Sequence, residues 1–304
     1  MSTSRTPKIG LALGSGASRG WSHIGVLKAL NRAGIEPDVI AGTSVGAMIG
    51  ACYLSGNLDK LEEWVLGATQ IDVFKFFEIH LTKSGFVDDE RFADFLHDYV
   101  IDRETSFADL PSAFATVATD VQAGRETWLT EGNVLESVRA SMSLPGLFPT
   151  VRINETWLVD GGLVNPVPVS TCRAIGADIV IAVNLNTDLL GKRSRSSPTP
   201  KPPEPDGLLG KFKRSAKDYS ETLFGTDPDG APGLFDVVAN SINIFQDRIT
   251  RSRLAGDPAD IAISPKLAHI GMLDFHRAAE AIREGEERTE RVIDEIKTAA
   301  SISR

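Results

Sequence analysis

The chain has little of several things, and each shortage excludes something. It has two cysteines among 304 residues, Cys52 and Cys172. Both lie in apolar surroundings without CxxC spacing, so they read as buried reduced thiols and not as a disulfide framework or a thiolate metal site. Positive charge is short: 32 Lys and Arg stand against 41 Asp and Glu, for a formal net charge of −9. Nucleic-acid proteins carry a basic footprint, so that class of partner is excluded. No apolar run approaches the ~18 residues of a spanning helix. The apolar stretch after the N-terminal "MSTSRTPK" stops at glycines after about six residues, too short for a secretory signal. A cytoplasmic protein is expected. No His/Cys/Asp/Glu cluster has metal-ligand spacing, so neither metal nor cofactor is expected.

What is present is an ordinary globular balance, 42% apolar and 24% charged, enough for a substantial core. "KIGLAL" (8–13) reads as a buried strand stopped by glycine. Residues 19–34 carry apolar residues at helical spacing and end at Gly34. "PDVIAGTS" is a second strand, and "VGAMIGACYL" (45–54), apolar nearly all round, a buried helix. Strand, helix, strand, helix argues for a parallel sheet with crossover helices. Further helices are expected at 57–69, 88–99, 133–142, 168–176 and 233–254, and an amphipathic terminal one at 273–298. Further strands are expected at 113–119, 126–130, within "ETWLVDGGL", at 177–185 and at "ADIAISP". A single domain over 7–298 accommodates all of these. Residues 187–232 interrupt it as a basic, proline-rich insertion or lid.

Three stretches could carry chemistry. The first is "GTSVG", Gly42 to Gly46. A serine hydroxyl is a poor nucleophile unless a base adjoins it. A sharp strand-turn-helix elbow would lift Ser44 out of the sheet edge, with flanking glycines giving room. The pattern alone fits a nucleophile or a plain turn. The second is "GSGASRG", Gly14 to Gly20. Backbone N–H groups at a helix start can hold an anion. Arg19 stands where a dinucleotide loop needs glycine, and the P-loop lysine is missing. An oxyanion hole or a simple turn remain. The third is "LVDGGLVNP" (158–166). Asp160-Gly161 is a hairpin signal, or Asp160 is a general base at a strand end. If strands 9–13, 38–41 and 157–159 run parallel, all three loops emerge at the C-terminal sheet edge, where such sheets bind ligands.

In that order the three stretches resemble the patatin-like phospholipase family, in its bacterial branch related to the neuropathy target esterase domain. "RGWSHIGVL", "ATDVQAG", "SMSLPGLFP" and "DGGLVNPVPV" strengthen the resemblance, which spans roughly residues 8–186. "DIAISP…DF" is similar to the family's C-terminal segment. One departure is Ser15-Gly16-Ala17, where family members often have three glycines. The resemblance implies a three-layer α/β/α fold with a mainly parallel central sheet and a nucleophile elbow. It implies a Ser44–Asp160 dyad, an oxyanion loop of Gly14, Ser15, Gly16 and Ala17, and supporting roles for Arg19, Gly42, Gly46, Gly161 and Gly162. The expected activity is that of a serine lipid acyl hydrolase acting on phospholipid, lysophospholipid or another acyl ester, without cofactor.

Two alternatives stand beside it. One is a non-catalytic lipid-binding or regulatory protein on the same fold. The other is a Ser-His-Asp esterase, in which His269 or His276 fits by chain order. His23 reads as a packing or hydrogen-bonding residue and Asp120 as a turn residue. Segment 191–217 carries eight Lys and Arg against two acidic residues, a local +6 within the acidic chain. With Leu208, Leu209, Phe212, Leu223 and Phe224 it suggests peripheral contact with an anionic membrane, or a solvated loop.

Overall fold

Short apolar runs form the centre of the molecule. A computed structural model describes residues 6–69, 89–187 and 234–302. It sets β1 (Ile9–Leu13), β2 (Val39–Thr43), β3 (Ala113–Asp120), β7 (Ile179–Val183) and β8 (Ile261–Ile263) parallel, in the order β3-β2-β1-β7-β8. β1, β2 and β7 are buried almost throughout, as strands covered on both faces should be. Alternation divides their side chains. Leu11, Leu13, Ile40, Ile181 and Val183 face one layer; Ala12, Val39, Ala41, Val180 and Ala182 face the other.

The first layer holds α1 (Ser22–Arg32), α2 (Val45–Leu54), α3 (Leu58–Gly67) and α4 (Asp89–Tyr99). It also takes most of the apolar face of α5 (Val134–Met142), with α8 (Ala278–Glu290) and Ile296 of α9 (Ile293–Ile302). The second layer holds α6 (Val169–Ala174) and the C-terminal part of α7 (Leu234–Gly256), where Leu254 packs. This is the expected α/β/α sandwich.

Three further strands, β4 (Arg125–Leu129), β5 (Val151–Ile153) and β6 (Thr156–Asp160), are antiparallel to their neighbours. Their registers place the site. β2 pairs with β3 as far as Thr43 opposite Val117. β6 pairs with the next residues of β3, beginning with Asp160 opposite Ala118. β4 pairs with Thr116 to Asp120, overlapping both ladders, so it takes the opposite side of β3. β2 and β6 therefore lie end to end along one side of β3, with their C-terminal ends facing.

This corrects the expectation of three parallel strands. β6 runs opposite to β1 and β2, and it reaches the same place by coming back from beyond the edge. The hairpin also sits elsewhere than at Asp160-Gly161. It joins β5, a strand not foreseen, to β6 through Asn154 and Glu155, whose φ of 46° and 65° mark a type I′ turn. The expected terminal helix divides into α8 and α9 after Glu290. The buried hydroxyl of Thr289 donates back to Gly285 O at 2.8 Å, a bond of the kind that bends helices. Before α1 the chain makes a short 3-10 turn, Ala17–Trp21. Of the basic insertion expected at 187–232, all but Thr187 lies outside the described residues, as does the helix suggested for 208–225.

α1 and α8 pack with their backbones nearly touching. A Cβ at Gly25 would stand 1.9 Å from Ile282 O, and one at Gly285 would stand 2.1 Å from Ser22 O. Gly25→Ala should therefore lower the unfolding free energy by about 1–3 kcal/mol, the usual cost of overpacking. Urea unfolding of the variant beside the parent chain measures this; an unchanged midpoint would refute the contact.

Candidate active site

Strand β2 ends and helix α2 begins at Ser44, with nothing between. That abrupt change forces Ser44 to φ 57° and ψ −126°, a conformation costing about 1–3 kcal/mol and typical of functional sites. The surroundings hold it there. Ser44 N–H donates to Ser141 Oγ at 2.9 Å, and Ser141 Oγ donates to Val117 O at 2.6 Å. Glycine at 46 is obligatory, because a Cβ would lie 2.1 Å from Leu13 O; at Gly42 it would lie 2.5 Å from Ala47 N.

Ser44 Oγ donates to Asp160 Oδ2 at 2.6 Å. Asp160 is 2% exposed. Its Oδ1 accepts from Gly162 N–H at 2.7 Å, its N–H donates to Ser143 O at 3.0 Å, and its carbonyl accepts from Thr119 Oγ1 at 2.8 Å. Gly161 allows the turn to press on β3, since a Cβ there would stand 2.1 Å from Val117 O. Burial pushes the carboxyl up to about 6, against the opposing bonds from Ser44 and Gly162.

The loop after β1 approaches from the side. Gly14 N–H donates to Val183 O at 3.1 Å and Ser15 N–H to Pro166 O at 2.8 Å. Gly16 and Ala17 begin the 3-10 turn that leads into α1. Ala17 takes φ 49°, so the departure from three glycines falls on a left-handed residue, at about 1–2 kcal/mol. Arg19 is buried; its Nε donates to Gly16 O at 3.1 Å and its Nη2 to Asn243 Oδ1 of α7 at 2.9 Å. His23 Nε2 donates to the carbonyl of Gly14 at 2.8 Å, and burial lowers its pKa to about 4, so it is neutral at pH 7.

With this geometry in view, known proteins supply a match. Residues 11–173, more than half the chain, fit the family model described as patatin-like phospholipase. The chain belongs to the patatin-like phospholipase family. Membership implies lipid acyl hydrolase activity. An uncharacterized NTE family protein of Mycobacterium tuberculosis is 29% identical over 93% of this chain and 90% of its own length. Human patatin-like phospholipase domain-containing protein 6 is 33% identical over 59% of this chain, which spans 13% of that protein. The crystal structure of VipD from Legionella pneumophila shares the fold at a TM-score of 0.51 and 14% identity, covering 96% of this chain and 67% of VipD.

In this family member Ser44 and Asp160 line an apolar pocket with Trp21, Met48, Trp64, Phe92, Phe148 and Phe275. Among its described lining residues these two are the polar ones. Asp120 forms the expected turn, accepting from Gln122 N–H and Ala123 N–H. His269 pairs with Glu280 at 2.6 Å, and Ser44 Oγ bonds Asp160 directly. Among the described residues no group could hold a metal ion and no helix is long and apolar enough to cross a membrane. Ser141, Ser143 and Thr119 went unforeseen as supports. The "SMSLPG" signature contained two of them, but no periodicity marks a serine that braces another loop.

The raised carboxyl has a consequence for stability. Asp160 binds its proton more tightly folded than unfolded, so its contribution is fully present below about pH 3.8 and is lost as pH rises through about 6. At pH 8 the buried charge costs up to about 3 kcal/mol. Asp160→Asn should therefore be the more stable protein at pH 8, with the gap closing by pH 4. Denaturant melts at both pH values check this; a gap that widens on acidification would contradict it.

Proposed function

We propose that this chain is a serine carboxylic ester hydrolase of phospholipase A or lysophospholipase type, working through a Ser44–Asp160 dyad and an acyl-enzyme. The observation that carries the reading is the 2.6 Å bond from Ser44 Oγ to the buried Asp160 carboxylate at an apolar pocket. No histidine stands between the two, which favours the dyad over a triad. A base titrating near 6 is ionised at neutral pH yet basic enough to take a hydroxyl proton in the transition state.

The steps balance on these two side chains. Ser44 Oγ attacks the ester carbonyl carbon while its proton passes to Asp160 Oδ2. The oxyanion needs N–H donors without other acceptors. Gly14 and Ser15 have spent theirs on Val183 and Pro166, so the role narrows to Gly16 and Ala17, aided by the N-terminal dipole of α2. Collapse breaks the bond to the alcohol oxygen, which takes the proton from Asp160. Water then attacks the acyl carbon and gives its proton to Asp160. The second collapse releases the acid and returns the proton to Ser44.

Ser44→Ala and Asp160→Asn should each lower kcat on phospholipid and lysophospholipid esters by about 10³-fold or more, with circular dichroism unchanged. A fluorophosphonate should label the parent chain at Ser44 and fail on Ser44→Ala. Because Asp160 must be ionised to accept the proton, kcat/KM should rise with pH through about 6. Full activity in folded Asp160→Asn would end the dyad reading.

A further inference from the structure

A second polar network closes around the turn that carries Asp160. Within the turn, Val164 N–H and Asn165 N–H donate to Gly161 O at 3.1 and 2.9 Å. Three side chains hold its far end. Thr43 Oγ1, from the residue before the nucleophile, donates to Asn165 O at 2.9 Å. Arg253 Nε, from α7, donates to Val164 O at 2.7 Å. Glu126 Oε1, from β4, accepts from Asn165 Nδ2 at 2.6 Å. Glu126 and Arg253 then complete each other, with Arg253 Nη2 donating to Glu126 Oε2 at 2.6 Å. Trp128 Nε1 and Thr171 Oγ1 also donate to Glu126 Oε1, at 2.5 and 3.4 Å. The Glu126 side chain is 16% exposed and that of Arg253 35%, so the carboxylate is the better shielded partner.

The fork geometry matters. One guanidinium reaches a backbone carbonyl of the turn with Nε and a carboxylate with Nη2. That carboxylate in turn holds the Asn165 side chain. The turn is thus gripped at two successive residues, Val164 and Asn165, by a closed ring of hydrogen bonds. Its other end is Gly162, whose N–H donates to Asp160 Oδ1. α7 makes a second approach to the same place: a Cβ on Gly162 would stand 2.5 Å from Gln246 Nε2. Neither Glu126 nor Arg253 touches Ser44 or Asp160, so any effect they have on chemistry passes through the turn.

We propose that Glu126 and Arg253 are positioning residues for Asp160. Their ion pair fixes the Gly161–Asn165 turn and so sets the reach of the Asp160 carboxylate to Ser44 Oγ. This rests on the dyad reading above. A displacement near 1 Å from a change remote from the chemistry costs about 10²-fold in rate. Glu126→Gln is the sharpest probe, because it keeps the shape and removes the charge that Arg253 needs.

The test uses the full chain, a soluble short-chain ester, and amide hydrogen exchange as a readout that needs no turnover. Glu126→Gln should lower kcat by about 10²-fold and leave KM within about threefold. Exchange at Gly162 and Asn165 should accelerate while the amides of β1 and β7 keep their protection. Arg253→Lys keeps the charge but loses the fork, so it should show the same pattern at about tenfold, and it carries the test if Glu126→Gln does not fold. A kcat within about twofold of the parent, or acceleration spread evenly over β1 and β7, would overturn the proposal. If the parent chain hydrolyses no ester, the dyad reading fails separately. Exchange then decides alone: selective loss at Gly162 and Asn165 upholds the positioning role, and unchanged exchange there overturns it.

Discussion

Keeping the Asp160 carboxylate 2.6 Å from the Ser44 hydroxyl, in a place almost closed to solvent, constrains most of the surrounding structure. A buried carboxylate is costly unless its oxygens find donors. Here each oxygen has one, the Ser44 hydroxyl and the Gly162 N–H. Neither donor is free to move: Ser44 is locked in a strained elbow and Gly162 in a turn pressed on β3. On the proposed dyad, the same burial that raises the carboxyl toward neutrality suits it to accept a proton at physiological pH. Site chemistry and site stability therefore oppose each other at this residue.

The means of bringing the pair together is the length of β3, at 8 residues the longest of the described strands. Its first residues carry β2 and its last carry β6, both on one side. Two strands that end tip to tip on a common neighbour can bring their terminal residues into contact without any long side chain between. A serine and an aspartate, both short, then suffice. A Ser-His-Asp arrangement must instead span the distance with an imidazole. The strain at Ser44 and at Ala17 is offset by packing around them: Ser141 braces the elbow, and Arg19 ties the preceding loop to α7.

Much of this was legible beforehand. Nearly every predicted helix and strand within the described residues appears within a residue or two of its expected bounds, because short apolar runs ending in glycine and broad apolar helix faces are local signals. Ser44 and Asp160 were legible as motif residues. The direction of β6 was not: "TWLVD" has the same alternation whichever way it runs, and only its partners decide. The hairpin signal at Asp160-Gly161 misled for a related reason. Asp-Gly suits several tight turns, whereas Asn154-Glu155, a weaker signal, took the type I′ geometry. Glu126 and Arg253 carried no signal at all, and Ser141 lay in a signature that did not show its role, since a charged or hydroxyl residue on a strand or helix looks the same in solvent as in a network.

By itself, the sequence determined the α/β class and the central strands, because these are written in spacing over a few neighbouring residues, while Ser44 and Asp160 were singled out by the ordered set of motifs that resembles the family. Only the tertiary structure decided that Ser44 and Asp160, 116 positions apart, share one hydrogen bond, that Gly14 and Ser15 spend their N–H groups inside the protein, and that Glu126 and Arg253 clasp the turn between them. Those outcomes depend on strand register, burial and side-chain reach, which arise only when distant segments pack against one another.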